Sequence, residues 1–515
     1  MIWRWLLALT PFLALAILHW SWSPPANHGD YAQYLGHTRA LLEGRPYADF
    51  GYLFVPEAWG IGPPSYPPGL PLLLAPIVAL DGIHSPLLRL LSLLGLVLFT
   101  WFAYRRLARN VAPWQAAFAA GITALAIEGR GGTLGPLSDV PFGAALWFLI
   151  WLVDRETHWS WTHVVLVTAV GFICLSFRVV GAALVPGILL HAIVARRQTP
   201  RAFIPPAIWA IAGATALALG IVQLPYADAL TATFGSGVRY KAALLASQYR
   251  YALFEALLYP FPWDALNDAY HLLAALLALV GGLVLAWRIR RSALFGIGIS
   301  YVLLLAVAPG GDPRYLWPLI PVIGASLALG TALALRAGLQ RIGSQSAERR
   351  ARALGAGSAA IVLLGTLGVG LGASPPFAIV GTPDANGLYA WLGSEASPGP
   401  VRAIFHNPRV LALETGVSAM GILPRSPAGQ LVGIDAERIT HLVWQRDDVS
   451  ACPQRTLNQL PANYPQRFSL AYQNPTFRVY RVLPGPAAGG TFERIDWNRA
   501  TRWCGDENGQ RGPIQ

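Results

Sequence analysis

Pro67-Pro68-Gly69-Leu70-Pro71-Leu72-Leu73-Leu74-Ala75-Pro76-Ile77-Val78-Ala79-Leu80 is the stretch on which the topology of this chain turns. It is apolar enough to enter a bilayer. Its four prolines, however, lack the amide donors of a continuous helix and crowd the preceding turn, so a straight spanning helix is disfavoured. Were it to cross, Arg105-Arg106 and every later arginine block would move to the other side of the membrane. Lying in the interface, it leaves all of those blocks on one side.

The surrounding composition requires such a reading. Hydrophobic residues make up 54% of the 515, charged residues only 12%, and the mean hydropathy is +0.45. Most of such a chain has to be solvated by lipid. The formal charge of +12 does not point to nucleic acid, because Lys241 is the single lysine and the arginines gather in short blocks between apolar runs, as membrane topology demands.

Runs long enough to span about 30 Å of hydrocarbon are read at 5–23, 86–104, 112–127, 139–153, 161–176, 178–194, 203–223, 270–287, 292–308, 314–335 and 354–372. With the N-terminus inside, the inner loops Met1–Arg4, 105–111, 154–159, 195–202, 287–292 and 336–352 hold 16 Arg in about 48 residues. The outer loops hold 8 Arg plus Lys in roughly 128 residues. This asymmetry orients the chain, and an odd number of crossings puts the C-terminus outside. The acids run the other way: Asp30, Glu43, Asp49, Glu57, Asp81, Glu128, Asp139, Asp228, Glu255, Asp264, Asp268 and Asp312 fall on the outer side. Trp3, Trp5, His19, Trp20 and Trp22 frame the first helix with aromatic ends, and no small-residue cleavage site follows, so it reads as a retained anchor.

From about Ser374 the spans stop and short alternating segments begin. Val401–Phe405, His441–Trp444 and the pair Phe468–Tyr472 and Phe477–Val482, joined through Asn474-Pro475, read as strands, the last two as a hairpin. A helix is expected over Asp384–Leu392, after the start signal at Pro383. The fold class is therefore mainly α: a polytopic transmembrane module over 1–373 with about eleven helices, followed by a small extracytoplasmic α/β domain over 374–515. Cys174 falls in a membrane helix, whereas Cys452 and Cys504 fall in the tail, where they read either as a disulfide or as two free buried thiols. Gly129-Arg130-Gly131-Gly132 lacks the lysine and the strand-to-helix setting of a phosphate loop, and the ten histidines show no paired ligand spacing.

The chemistry-bearing residues come in a definite order. His28-Gly29-Asp30-Tyr31 follows the first helix, and Tyr66 opens the proline segment. Leu137-Ser138-Asp139-Val140-Pro141 precedes the fourth span, Phe177-Arg178-Val179-Val180-Gly181 the sixth, and Asp312-Pro313-Arg314-Tyr315 the tenth. This order resembles the C-type (GT-C) glycosyltransferase superfamily over roughly residues 1–375, nearest to the lipopolysaccharide aminoarabinose transferases and protein O-mannosyltransferases of family 39 type. The resemblance implies a polyprenyl-phosphate sugar as donor, a glycan, glycolipid or protein hydroxyl as acceptor, and a bacterial cytoplasmic membrane with the active site facing the periplasm. It also implies an acid of the first outer loop as catalytic base, at the position of Asp30.

Elementary chemistry agrees. Transfer from a phosphate-linked lipid needs a base for the acceptor hydroxyl and cations for the departing phosphate. Asp30 suits the first role, or simply caps the helix Tyr31–Leu42. Asp139 is a second catalytic candidate, or likewise an N-cap, and Asp49 and Glu57 are alternatives in the first loop. For the lipid phosphate the candidates are Arg314 with Tyr315, then Arg178, Arg239, Lys241 and Tyr66. An arginine fork matches phosphate oxygens, although Arg314 could equally snorkel beside an aromatic belt. Arg178, in a short turn between apolar helices, calls for an acid or a phosphate as partner. No cofactor is implied with certainty; a divalent cation bridging Asp30, Asp139 and phosphate is the option the acids leave open. A transporter or flippase for lipid-linked sugars is the competing class, and it calls for polar groups in mid-helix and inverted repeats. Here the charges gather at helix ends.

The topology is testable with single-cysteine variants and an impermeant maleimide in intact cells. Cys452, Cys504 and positions in 224–269 are expected to label from outside, and Gln345→Cys is expected not to. External labelling at position 345 would overturn the orientation.

Overall fold

Leu272, Leu276, Leu279, Leu283 and Trp287 recur at helical spacing along α10 (Asp264–Ile289), and all are between 52 and 67% exposed. Such a continuous apolar stripe has no place in water and marks a lipid-facing surface. Leu87–Leu107, Asn267–Ile289 and Arg314–Arg341 are long and apolar enough to cross a membrane. The computed structural model describes residues 2–22, 29–55, 62–63, 66–128, 135–156, 158–194, 200–218, 264–307, 313–342, 346–372, 381–396, 400–423, 427–446, 454 and 457–485. The mainly helical chain divides into a helical unit (Met1–Pro25, Pro67–Leu70, His84–Pro376) and a sheet-containing unit (Ala26–Tyr66, Pro71–Ile83, Phe377–Gln515).

In the helical unit α1 (Ile2–Trp22) packs on α5 (Pro113–Glu128), and α4 (Leu87–Leu107) packs on α6 (Asp139–Val153). After α7 (Trp161–Phe177), α8 (Leu184–Val194) and α9 (Ile204–Ala218), α8 packs on α11 (Ala293–Val307), while α12 (Ile320–Arg341) packs on α10, α5 and α13 (Ala347–Gly372). The α10–α12 approach depends on glycine: a Cβ at Gly281 would run into the Ser326 carbonyl, and one at Gly330 into that of Leu277. Small residues of this kind let helix backbones touch in lipid.

Several expected boundaries shift for identifiable reasons. The proline segment forms α3 (Gly69–Asp81), a helix of 13 residues with Pro76 inside it. At 1.5 Å per residue it is about 20 Å long, shorter than the hydrocarbon core. The span expected at 178–194 is broken: Arg178 is extended (φ −151°, ψ 137°), Val179–Ala183 is a 3₁₀ turn, and only then does α8 begin. The span expected at 314–335 likewise opens with a 3₁₀ segment, Pro313–Leu319, interrupted by Pro318. The loop expected at 336–352 is largely helical, because α12 runs to Arg341 and α13 starts at Ala347; Arg, Ala, Leu and Gln prolong helices beyond the apolar stretch.

α6 is held at both ends by an arginine–aspartate pair. At its start Asp139 pairs with Arg178. Beyond its last residue, Asp154 accepts from Arg106 Nε at 2.5 Å, from the Ser292 hydroxyl at 2.5 Å and from the Ala293 amide that opens α11 at 2.8 Å. Burial opposes ionisation of Asp154, but Arg106 and these donors prevail and hold its carboxyl below the usual range.

The sheet-containing unit has six strands: β1 (Tyr52–Leu53), β2 (Arg402–Ile404), β3 (Ser418–Met420), β4 (His441–Gln445), β5 (Phe468–Gln473) and β6 (Phe477–Val482), in the order β1-β3-β2-β4-β6-β5. The β5–β6 hairpin and the strands at β2 and β4 lie where the alternation put them. β1 and β3 were not expected. β1 comes from the first loop and pairs in parallel with β3, Tyr52 opposite Ala419, so the tail shares its sheet with a segment more than 350 residues upstream. Ile404, Met420 and Leu442 enter one core, whereas Ala403, Ala419, Val443 and Val479 enter another. Alternate residues thus line opposite faces, and both faces are covered. α14 (Pro383–Glu395) and α15 (Pro408–Thr415) supply the second core, α16 (Pro427–Ala436) the first, with the short helix α17 (Leu460–Asn463) beside it.

In the same unit α2 (Gly29–Leu42) packs on α15. Gly36 has the Phe50 ring where a Cβ would stand. His37 is fully buried, its Nδ1 2.6 Å from the Tyr47 carbonyl and its Nε2 2.8 Å from Gln33 Nε2, so the neutral ring donates through Nδ1 and accepts through Nε2. Burial pulls its pKa down to about 4, and burial does the same to His406, which faces Gln454.

Both imidazoles are neutral in the fold, while a free imidazole titrates near 6.5. Between about pH 6.5 and 4 the unfolded chain takes up protons that the folded chain refuses. Stability is therefore complete above pH 6.5, falls as the pH drops through that window and levels off below it. Thermal unfolding against pH checks this; His37→Gln is expected to flatten part of the decline, and a midpoint constant from pH 7 to 4.5 in the parent would contradict it.

Candidate functional site

Asp30 is the second residue of α2, within its first turn. It is thus a helical residue rather than the N-cap considered from sequence, and its negative charge is favoured there by the helix dipole. Its Oδ1 accepts from the Tyr66 hydroxyl at 2.7 Å and from Arg409 Nη1 at 2.9 Å, while the same Nη1 reaches the Tyr66 oxygen at 3.0 Å. The three side chains close a ring of charge-assisted hydrogen bonds. Around it, Tyr34 meets the Tyr66 ring edge-on at 5.3 Å, and the Tyr47 hydroxyl donates to the Tyr66 carbonyl at 2.9 Å. The Arg409 guanidinium lies over the Tyr52 and Tyr66 rings at 5.2 and 5.4 Å.

Exposure within the ring is uneven. The Asp30 side chain is 25% exposed and that of Arg409 10%, so the acid is the more accessible of the two charges. Burial, and then the Asp30 carboxylate, push the Tyr66 hydroxyl well above its ordinary range; it stays protonated and donates. Burial alone would loosen the Arg409 proton, but Tyr66, Asp30 and Tyr52 outweigh it and raise the guanidinium above its ordinary value. The ring therefore consists of a carboxylate, a neutral phenol and a permanent cation. Tyr66, a phosphate candidate from sequence, donates here to the acid.

In the helical unit a second set of candidates comes together. Asp139 is the first residue of α6, preceded by Ser138 as N-cap, so it too is not the cap. It pairs with Arg178, whose guanidinium stacks 4.9 Å from the centroid of the Tyr315 ring. The Tyr315 carbonyl accepts from the Tyr301 hydroxyl at 2.7 Å, and the Trp147 indole donates to the Pro318 carbonyl at 3.0 Å, fixing the 3₁₀ segment against α6 and α11. Three helix ends far apart in sequence thus deliver Asp139, Arg178 and Tyr315 to one place, with the half-buried Arg314 next in the chain. Asp49 is exposed, and its carbonyl accepts from Arg45. Glu57, Arg239, Lys241, Cys452 and Cys504 lie outside the described residues. Among the described residues no group of three His, Cys, Asp or Glu is disposed to hold a metal ion.

Arg409 is the residue that reading the sequence missed. One signal was available: it is the second residue of α15, and a cation in the first turn opposes the helix dipole, so it requires an anion nearby. Which anion, 379 positions upstream, no local pattern could say.

No protein-family model and no curated protein matches this chain. Among solved structures, ArnT from Cupriavidus metallidurans bound to undecaprenyl phosphate superposes with a TM-score of 0.52 at 14% identity, covering 92% of this chain and 98% of that one. The same protein in the apo state gives a TM-score of 0.51 with the same identity and coverage. At 14% identity the likeness is one of fold, and it spans both units: the chain has the fold of ArnT, the structural neighbour of the kind that the GT-C resemblance named.

Proposed function

We propose that the protein is a membrane glycosyltransferase that moves a sugar from a polyprenyl-phosphate donor to an acceptor hydroxyl on the outer side of the cytoplasmic membrane. The observation that carries this reading is the near-complete fold match to ArnT, one of whose structures is described as bound to undecaprenyl phosphate. In the proposed reaction Asp30 takes the acceptor proton as the acceptor oxygen bonds to the anomeric carbon; the bond from that carbon to the phosphate oxygen breaks, and polyprenyl phosphate leaves with the electron pair. A carboxylate that remains ionised at neutral pH suits this role when the hydroxyl acidifies late, in an oxocarbenium-like transition state.

For the lipid phosphate the proposed ligands are Arg314 and Tyr315, with Arg178 aligned through Asp139. Arg239 and Lys241 are further candidates. A guanidinium fork to phosphate contributes about 1.5–3 kcal/mol, so Arg314→Ala is expected to weaken donor binding roughly tenfold or more with little effect on folding, and Lys241→Ala less. Unchanged apparent donor affinity in purified Arg314→Ala protein would remove Arg314 from the role.

Asp30→Asn is the decisive variant. It keeps the size of the side chain and a hydrogen-bonding oxygen but cannot accept the proton, so transfer is expected to fall about 10²–10⁴-fold. It also deprives buried Arg409 of its counter-charge, so the unfolding midpoint is expected to drop, and rates have to be read well below it, with donor binding measured in parallel. A folded, donor-binding Asp30→Asn protein turning over at the parent rate would end the base assignment.

A further inference from the structure

We propose that Arg409 is the positioning residue for Asp30: from α15 it fixes the orientation of the carboxylate and keeps it ionised, which makes the sheet-containing unit part of the transfer machinery. The inference rests on Asp30 being the base.

Four observations lead to it. Arg409 Nη1 contacts both other members of the ring, Asp30 Oδ1 at 2.9 Å and Tyr66 Oη at 3.0 Å, so a single nitrogen sets where both oxygens lie. The guanidinium cannot swing away, because it is stacked against Tyr52 and Tyr66 and carried on a helix whose residues Pro408 to Leu413 are all buried. Its burial is deeper than that of the acid it holds, so the cation supports the carboxylate from behind and leaves the approach to Asp30 on the more exposed side.

The fourth observation concerns docking. α2 is already tied to α15 near its other end, where Arg39 Nη1 donates to the Leu413 carbonyl at 2.8 Å, and the first loop is already tied to the tail through β1 and β3. A buried ion pair adds little net stability over apolar packing of the same shape. What it does supply is a local field, and an opposite charge at this distance lowers the pKa of a carboxylate by about 1–3 units. Among the described residues, the titratable groups facing the ring include Tyr34, Tyr47, Tyr52 and His37; burial holds the Tyr47, Tyr52 and Tyr66 phenols above their ordinary range and His37 is neutral above about pH 4. Arg409 is the cation that pairs directly with the Asp30 carboxylate and is placed to favour its charged form.

The test compares the full-length protein with Arg409→Gln and Arg409→Lys in lipid nanodiscs, using a polyprenyl-phosphate sugar. Two readouts are taken: the pH dependence of kcat/KM, and the titration midpoint of the Asp30 carboxyl by infrared difference against Asp30→Asn. In Arg409→Gln both the acid limb and the carboxyl midpoint are expected to move up by about 1–3 pH units, with kcat lowered on the neutral plateau because the carboxylate is no longer held in place. Arg409→Lys retains the charge without the planar fork, so its acid limb is expected to stay near the parent's while kcat falls. A lowered unfolding temperature with an unmoved acid limb and midpoint would reduce Arg409 to a structural tie and overturn the proposal. So would a midpoint that moves while the acid limb does not. If Arg409→Gln fails to fold, Arg409→Lys decides: parent-like kcat and midpoint together would overturn the positioning role. The infrared midpoint is independent of turnover, so a failure of the base assignment, seen as parent activity in Asp30→Asn, is distinguishable from a failure of the Arg409–Asp30 coupling.

Discussion

A guanidinium withdrawn from water has to be neutralised where it lies, and among the described residues arginine–aspartate pairs meet that demand, three of them at helix ends. Arg106 meets Asp154, Arg178 meets Asp139, and Arg409 meets Asp30. Each pair joins segments distant in sequence, so each also locates a helix end. α6 carries one pair at either end, and its apolar residues between them need only pack. In a medium as apolar as the side chains themselves, helix association gains little from the hydrophobic effect. Ion pairs at the ends and glycine contacts such as Gly281 with Ser326 then specify which helices meet.

The acids of these pairs differ in how far they are enclosed. Asp154 is enclosed by Arg106, the Ser292 hydroxyl and the Ala293 amide, all directed at its two oxygens, and it serves as a clamp. Asp139 is similarly buried against Arg178. Asp30 differs in its exposure, 25% of the side chain against 6% for Asp154 and 5% for Asp139, and in having a phenol as second neighbour. A carboxylate in that setting is oriented without being sealed off, as the proposed proton acceptor has to be.

The sheet-containing unit extends this logic through the backbone. Six strands require edges, and one edge is supplied by two residues of the first loop. Tyr52 pairs opposite Ala419, with the Ala419 amide donating to the Gly51 carbonyl at 2.8 Å. Gly51 has φ +92° and the Val417 carbonyl 3.0 Å from where a Cβ would stand, so the close approach depends on glycine. The segment that carries Asp30 is thereby bound to the sheet whose connections carry Arg409.

Composition and periodicity by themselves determined that this chain is a helical membrane protein with an α/β tail, and the arginine asymmetry supplied its expected orientation. The order of its short motifs, and the resemblance they carry, named Asp30 and Asp139 as acids and Arg314, Tyr315, Arg178, Arg239, Lys241 and Tyr66 as phosphate candidates. Hydropathy is a local property, and these features are local. What only the tertiary structure decided were the partnerships. Asp139 with Arg178 and Tyr315, Asp30 with Tyr66 and Arg409, and β1 with β3 are all contacts between segments remote in the chain. A two-residue strand has no periodicity to detect, and an arginine in a helix's first turn announces that it needs an anion without saying which. Pairing energy depends on distance in space, and the sequence records only distance along the chain.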